Sequence, residues 1–212
     1  PIGSYTLSTR LVGLFNLSNL LAVLGAFYAE KCIQNNVAAF EKIISLIEFV
    51  QPITGRMEAI NNAVNRQVII DYAHTPDALK NVLQAVNEYA TGKVYCVFGC
   101  GGDRDQDKRQ VMASIAERYA DHVVVTDDNP RNEDPQQIID HICAGFLTSK
   151  YQVIRDRERA IHAAIHTSSA GDIIVVAGKG HEDYQLIGET KIPFSDQAVA
   201  RLTLRDMEAA SL

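Results

Sequence analysis

The sequence predicts an α/β fold in which a mostly parallel sheet carries helices on both faces. From about residue 57 onward, strand-like apolar runs alternate with segments of helix length. Such alternation is typical of βαβ units, which build parallel sheets covered by helices. Hydrophobic residues make up 47% of the chain and charged residues 22%, which is ordinary for a globular protein with a buried core.

The predicted elements follow one another at regular spacing. Residues 18–30 and 36–48 have apolar positions at helical spacing and predict two amphipathic helices, after which Pro52 and Gly55 break the pattern. Four strand-like runs are each followed by a helical segment: 67–72 by 77–90, 93–99 by 108–120, 122–127 by 135–147, and 151–154 by 157–167. A fifth strand-like run at 172–178, a late hairpin strand at 186–192 and a final helix at 195–207 complete the predicted elements.

Composition and charge exclude several classes of function. The net charge of −6 argues against nucleic acid as a partner, because phosphate binding needs a basic face. No run of about 18 apolar residues is present, which argues against a membrane span, and the start lacks a basic-then-apolar signal. The four cysteines, which form no CxxC pair, predict buried free thiols in a cytoplasmic protein rather than a metal site: Cys32, Cys96, Cys100 and Cys143.

Unusual polar loops follow four of the predicted strands. They span residues 73–76, 100–105, 128–134 and 179–185. In open α/β sheets, ligands bind beyond the carboxyl ends of the strands. We therefore expect these four loops to lie at one edge of the sheet and to form a single site there.

The loop at residues 99–109 has the order strand, glycines, helix. This order is that of a phosphate cradle, but Arg104 stands where the dinucleotide motif GxGxxG needs its third glycine. A nicotinamide-dependent oxidoreductase is disfavoured for the same reason. The glycines indicate close approach of the backbone to a ligand, with Arg104 reaching into the site. The alternative is an ordinary tight turn with a solvated arginine.

The DNPR sequence at residues 128–131 has the composition of a carboxylate-binding loop. Pro130 restricts the backbone, Arg131 offers a planar fork suited to a carboxylate, and Asn129 offers both a donor and an acceptor. Together with Arg104, this loop predicts a ligand that carries a carboxylate. For Arg131 alone, a surface charge near a helix is the alternative.

The GKGHEDYQ sequence at residues 178–185 predicts recognition of a cation. Glu182, beside backbone exposed by Gly178 and Gly180, could hold an ammonium group. His181 could be a base or a structural histidine. Anion recognition in the DNPR loop and cation recognition here together predict an amino acid as the ligand.

Two further segments, residues 55–58 and 71–76, flank the start of the alternating region. Arg56 could neutralise nucleotide phosphates, and Asp71, at a predicted strand end, could accept hydrogen bonds from a ribose. The composition of the second segment also fits a plain loop.

Six segments resemble the Mur ligase family in order and spacing, along essentially the whole chain. The family has three domains, which bind a UDP-sugar, hydrolyse ATP through a phosphate loop and bind the incoming amino acid. The sequence contains no GxxxxGK[ST] motif, so the resemblance implies that residues 1–54 are the tail of the central ATP-binding domain and 55–212 the amino-acid-binding domain. The segments are GLFNLSN (13–19), GRME (55–58), DYAHTPDAL (71–79), FGCGGDRD (98–105), TDDNPR (126–131) and AGKGHEDYQ (177–185).

The resemblance also implies an activity. Family members of this kind add meso-diaminopimelate to UDP-N-acetylmuramoyl-L-alanyl-D-glutamate in peptidoglycan precursor synthesis, through an acyl phosphate made from ATP. Magnesium is held mainly by the central domain, so a chain with these residues alone is expected to be inactive. The base that deprotonates the amine stays unassigned.

The binding residues are carried over by motif match. Those for meso-diaminopimelate fall on Arg104, Asp128, Asn129, Pro130, Arg131, Gly178 and Glu182. Those for ATP fall on Asn16 or Asn19, Arg56 and Asp71, with His74 and Thr75 as weaker candidates. A stand-alone amino-acid-binding module and a folylpolyglutamate synthetase-like ligase domain are the alternative functions, and the DNPR and GKGHE sequences argue against the second.

Overall fold

A computed structural model describes residues 4–9, 11, 13–30, 36–60, 62 and 64–210. The chain divides into two compact units, Pro1–Ile53 and Thr54–Leu212. Cys32 lies outside the described residues. In the part of the chain that the structure describes, no helix is both long and apolar enough to cross a membrane.

The first unit is built from two helices and a short 3₁₀ turn. Helix α1 spans Leu14–Ala29 and α2 spans Val37–Leu46, and the 3₁₀ turn Ile47–Phe49 follows directly. The Asn36 side chain caps α2 by accepting a hydrogen bond from the backbone N–H of Ala39 at 3.0 Å. The core of this unit is a small apolar cluster consisting of Leu20, Leu24, Phe40 and Ile47.

The second unit contains a six-stranded sheet and a two-stranded hairpin. The order in the sheet is β1-β2-β6-β3-β4-β5, with β1 antiparallel to β2 and all other neighbours parallel. The hairpin consists of β7 and β8. The strands are β1 Glu58–Ile60, β2 Gln67–Asp71, β3 Val94–Phe98, β4 His122–Val125, β5 Tyr151–Val153, β6 Ile173–Ala177, β7 Tyr184–Ile187 and β8 Thr190–Pro193.

Five helices cover the two faces of this sheet. Alternate strand residues point to opposite faces, so one face of the central strands packs on α6 and α7, and the other on α3 to α5. The central strands β3 and β6 are buried at every position, as strands covered on both faces must be. The helices are α3 Pro76–Asn87, α4 Asp107–Tyr119, α5 Pro135–Cys143, α6 Arg157–Thr167 and α7 Asp196–Ala210.

A buried ion pair fixes the carboxyl end of β6. The Arg157 guanidinium donates to both carboxylate oxygens of Asp196 at 2.8 Å, which joins the start of α6 to the start of α7. It also donates to the carbonyl of Ala177, the last residue of β6, at 3.1 Å. Both side chains are fully buried, so the loop that follows β6 begins from a rigid point.

The predicted fold class is confirmed: the sheet is mostly parallel, with helices on both faces. Two features were missed. Strand β1 begins with Glu58 and Ala59, which are uncommon in strands and give no apolar run, and the single hairpin strand predicted at 186–192 is two strands, β7 and β8. Of the three cysteines in the described residues, Cys96 and Cys100 are buried free thiols as expected, whereas Cys143 is only half-buried.

Candidate functional site

Four loops meet beyond the carboxyl edge of the sheet, as the sequence predicts. In the sheet register Asp71 lies beside Ala177, Ala177 beside Phe98, and Phe98 beside Val125. The four polar loops therefore leave the sheet at one level. They surround a cavity of about 480 Å³ lined by Tyr72, His74, Thr75, Gly99, Cys100, Gly101, Arg104, Asp105, Lys108, Asp128, Asn129, Arg131, Gly178, Glu182 and Tyr184.

The glycines of the 99–102 loop are required because this loop touches the DNPR loop directly. A Cβ atom added to Gly102 would lie 1.9 Å from the carbonyl oxygen of Pro130. One added to Gly101 would lie 2.7 Å from a guanidinium nitrogen of Arg131. The glycine run thus allows close contact between two loops of the protein, and this contact places Arg131.

Arg131 is held at the cavity by its backbone and by one end of its guanidinium. Its φ of 54° is left-handed, a conformation that costs a non-glycine residue about 1 kcal/mol or more. Nη1 donates to the carbonyls of Gly102 at 2.9 Å and Asn129 at 3.3 Å. Among the described residues no carboxylate lies within ion-pair distance of this guanidinium, so its remaining donors are available to a ligand.

The ion pair between Arg109 and Glu133 connects the 99–102 loop with the segment that follows the DNPR loop. The Arg109 guanidinium donates to both oxygens of Glu133 at 2.6 and 2.7 Å, and to the carbonyl of Gly101 at 3.3 Å. Hydrogen bonding from Arg109 lowers the pKa of Glu133. Asp103, which also has a left-handed φ, accepts from the backbone and side-chain nitrogens of Asn132 at 3.2 and 3.1 Å.

A buried lysine that the sequence reasoning did not single out lies beside three residues of the cavity lining, Asp128, Asn129 and Glu182. Lys179 is fully buried, and its Nζ is 2.8 Å from Asn129 Oδ1, 3.3 Å from Glu182 Oε2 and 3.8 Å from Asp128 Oδ1. The Asn129 amide in turn donates from Nδ2 to Glu182 Oε2 at 2.8 Å. Glu182 Oε1 makes no hydrogen bond with any described residue and is available to a ligand.

The β7–β8 hairpin completes this part of the cavity lining. The backbone N–H of Leu186 donates to Asn129 Oδ1 at 2.9 Å, and the N–H of Arg131 donates to the carbonyl of Leu186 at 3.0 Å. The Gln185 amide donates to the carbonyl of Asp128 at 2.9 Å. The hairpin is therefore anchored on the DNPR loop, and it brings the ring of Tyr184 to the cavity.

Two of the predicted nucleotide-side residues lie outside the cavity lining. The Arg56 guanidinium stacks over the ring of Tyr72 at 4.6 Å. Asp71 is buried and accepts a hydrogen bond from the backbone N–H of Met57 at 2.8 Å, and burial raises the pKa of its carboxyl group. Asp71 thus has a structural task in ordering the segment that carries Arg56, and its contact with a ribose remains a prediction.

The two weaker nucleotide-side candidates line the same cavity as the amino-acid residues. The Thr75 hydroxyl caps α3 by accepting from the N–H of Ala78 at 3.3 Å. His74 bonds the carbonyl of Tyr72 through Nδ1 at 2.8 Å, and its own carbonyl accepts from Lys108 at 2.9 Å. The His74 loop therefore lines the same cavity as Arg131 and Glu182, with Lys108 bound to it.

Three further predicted residues, Pro130, Asn16 and Asn19, lie outside the cavity lining. Pro130 is a buried residue of the DNPR loop, and its carbonyl contacts Gly102. Asn16 and Asn19 lie in helix α1 of the first unit, with Asn19 exposed and its amide 3.5 Å from Asn16 Oδ1. Within the described ranges, no group of three or more His, Cys, Asp and Glu side chains is arranged to hold a metal ion.

Taken together, the cavity has the features of a site for a small zwitterion. Two arginines, Arg104 and Arg131, lie at it without a carboxylate partner in the described chain, and a carboxylate oxygen of Glu182 lies at it without a donor. A strand-end site of this kind on a mostly parallel sheet is typical of domains that bind small molecules.

Comparison with known proteins identifies the class. A family model described as "Mur ligase, glutamate ligase domain" matches residues 55–180. The chain belongs to the Mur ligase family.

Individual proteins similar to this chain carry the same name. The chain is similar to the UDP-N-acetylmuramoyl-L-alanyl-D-glutamate–2,6-diaminopimelate ligases of Chromobacterium violaceum, at 47% identity over 96% of the chain, and Oceanobacillus iheyensis, at 45% over 97%. It spans about 41% of the length of each of these relatives.

Solved structures give the same result. A structure of a ligase of the same name has a TM-score of 0.75 and 37% identity, covering 97% of this chain and 41% of that one. A UDP-N-acetylmuramate–alanine ligase from Thermotoga maritima, with a TM-score of 0.65 and 20% identity over 98% of this chain and 41% of that one, shows a shared fold.

Proposed function

We propose that this chain supplies the amino-acid-binding domain of an ATP-dependent ligase that adds meso-diaminopimelate to UDP-N-acetylmuramoyl-L-alanyl-D-glutamate. Such a ligase acts in peptidoglycan precursor synthesis in the cytoplasm and supports cell-wall growth, cell shape and division. In this proposal residues 1–54 are the tail of the central ATP-binding domain and residues 55–212 the amino-acid domain. The names of the relatives support the assignment, and the charges of the cavity support the choice of amino acid.

The observation that carries the proposal is the placement of opposite charges around one cavity. The far carbon of meso-diaminopimelate carries a carboxylate and an ammonium group, whereas lysine lacks that carboxylate. Removing a carboxylate from water is unfavourable unless a fixed cation receives it. Arg131 supplies that cation and Arg104 a second one, while Glu182 Oε1 supplies an acceptor for the ammonium group.

The reaction requires the other amine of the ligand to attack an acyl phosphate on the D-glutamate carboxyl group. Phosphate then leaves, and an amide bond has formed between the two substrates. The described residues contribute by positioning: they fix the far end of the amino acid, so that its reacting amine points away from Arg131. Positioning and charge neutralisation carry most of the catalysis in reactions of this class.

This chain offers residues that could contact ATP, whereas we assign magnesium to another domain. Arg56, held over Tyr72, offers a guanidinium for nucleotide phosphates, and Asn16 or Asn19 of α1 would contact the adenine. When bound, ATP supplies the phosphoryl group that activates the carboxylate. Because the described residues hold no cluster suited to a metal ion, we assign Mg²⁺ to the phosphate-loop domain of the complete ligase.

Calorimetric titration of the chain with meso-diaminopimelate, L-lysine and ATP tests the proposal. We expect saturable binding of meso-diaminopimelate and binding of L-lysine that is weaker by about tenfold or more, the contribution of one charge-assisted contact. Equal binding of the two amino acids, or binding of neither, would contradict the proposed substrate.

A further inference from the structure

Lys179 is a fully buried cation that the proposed contacts with the ligand leave unused. Its Nζ lies within 4 Å of two carboxylates, those of Asp128 and Glu182, and makes its shortest bond, 2.8 Å, to the amide oxygen of Asn129. A buried charge persists only where partners compensate for lost hydration. These three side chains are the partners, and all of them line the cavity.

The hydrogen bonds fix the direction of the Asn129 amide. Its Oδ1 accepts from Lys179 Nζ and from the N–H of Leu186, so its Nδ2 must point the other way, toward Glu182 Oε2. Glu182 therefore receives two donors on Oε2, from Asn129 and Lys179. Its second oxygen, Oε1, is the one left for a ligand.

We propose that Lys179 is a positioning residue, which holds Asn129 and Glu182 in the arrangement that receives the far ammonium group of the amino acid. This inference rests on the proposed function. Without the lysine, the carboxylates of Asp128 and Glu182 would lose the cation that lies within 4 Å of both. Glu182, whose side chain is 19% exposed, would then turn toward solvent, and the ammonium group would lose its partner.

Truncated ligands separate this role from a general effect on the fold. L-2-aminopimelate keeps the far carboxylate of meso-diaminopimelate and lacks the far ammonium group, whereas L-lysine keeps the ammonium group and lacks the carboxylate. A residue that acts through Glu182 affects the ligands with a far ammonium group. A residue that acts only on stability affects all ligands alike.

The experiment is titration calorimetry of the wild-type chain and of Lys179→Met with these three amino acids. Methionine keeps the length and apolar body of the lysine and removes its charge. We expect the dissociation constant for meso-diaminopimelate to rise about tenfold to a hundredfold, and that for L-2-aminopimelate to change less than threefold. Ile165→Ala is the control for lost stability, because it leaves a cavity where the buried side chain of α6 was. It should affect all three ligands alike.

A second variant guards against failure of Lys179→Met to fold. Lys179→Met/Glu182→Gln removes one carboxylate together with the cation, so no unbalanced pair remains. If the lysine acts through Glu182, this double variant binds meso-diaminopimelate as weakly as Glu182→Gln alone, because the effects of coupled residues are not additive.

The outcomes distinguish the inference from the proposed function. Equal loss for all ligands, no loss in Lys179→Met, or an additive double variant would overturn the role of Lys179 while leaving the substrate assignment in place. A wild-type chain that binds none of the three amino acids would overturn the proposed function, and this inference would fail with it.

Discussion

Replacing Arg131 by alanine removes the cation that we assign to the far carboxylate of the amino acid. In the structure only Nη1 of this guanidinium is engaged, by the carbonyls of Gly102 and Asn129. The edge formed by Nε and Nη2 makes no hydrogen bond with a described residue. This edge can grip both oxygens of a carboxylate, which a lysine ammonium group cannot do.

The expected loss follows from that geometry. A hydrogen bond to a charged group contributes about 1.5–3 kcal/mol, and two such bonds from one fork are not additive. A total of about 3 kcal/mol corresponds to roughly a hundredfold in affinity or Michaelis constant. Arg131→Lys should recover only part of this loss, because an ammonium group is a point charge.

The assay is steady-state kinetics of a complete ligase that carries these residues, with each substrate varied in turn. Arg131→Ala should raise the Michaelis constant for meso-diaminopimelate about a hundredfold and leave those for ATP and the UDP-dipeptide nearly unchanged. Arg159→Ala, at an exposed position of α6, is the matched control. An unchanged constant for meso-diaminopimelate would refute the role of the DNPR loop.

Backbone strain at Arg131 provides a further control. Because its φ is 54°, Arg131→Gly should be more stable than Arg131→Ala by about 1 kcal/mol. Both variants lack the guanidinium, so they should bind meso-diaminopimelate equally poorly. If binding instead followed stability, the loss in Arg131→Ala would be a folding effect.

Other predictions concern the loops, the buried ion pair and ATP. Gly102→Ala should destabilise the chain by about 1–3 kcal/mol and weaken amino-acid binding, since its Cβ would overlap Pro130. Gly25→Ala, in helix α1, where an added Cβ meets nothing within 4 Å, should leave binding intact. Glu133→Gln should lower the unfolding free energy by about 3 kcal/mol at pH 7. Because hydrogen bonding from Arg109 lowers the pKa of Glu133, this stabilisation is present above the usual pKa of a glutamate and is lost as pH falls through the lowered pKa. The unfolding free energies of the two proteins, measured by urea titration, should therefore converge at pH values below that lowered pKa. The chain, which contains no GxxxxGK[ST] sequence, should release no phosphate from ATP on addition of meso-diaminopimelate.

The sheet could be predicted from the sequence because its strands are continuous apolar runs. Strands covered on both faces, such as residues 94–98 and 173–177, are apolar at every position and contrast sharply with the polar loops that follow. The loops could be assigned to one edge because parallel strands end at one edge. Strand β1 carries no such pattern, because it begins with Glu58 and Ala59, residue types that are uncommon in strands.

The contacts within the site depend on tertiary structure that sequence patterns do not report. The sequence indicated Arg131 and Glu182 by their chemistry, but Lys179 between two glycines had no pattern of its own. Its role follows from three partners, two of which are about 50 residues away. The Arg109–Glu133 pair was missed for the same reason, since Arg109 belongs to helix α4 and Glu133 to the loop after β4, 24 residues later.

A crystal structure of the chain with meso-diaminopimelate tests the central claim most directly. The account predicts the far carboxylate within about 3 Å of Arg131 Nε and Nη2, the far ammonium group on Glu182 Oε1, and the reacting amine pointing away from both. A ligand bound outside the cavity between the 99–105 and DNPR loops, or one bound with its far carboxylate away from Arg131, would contradict it.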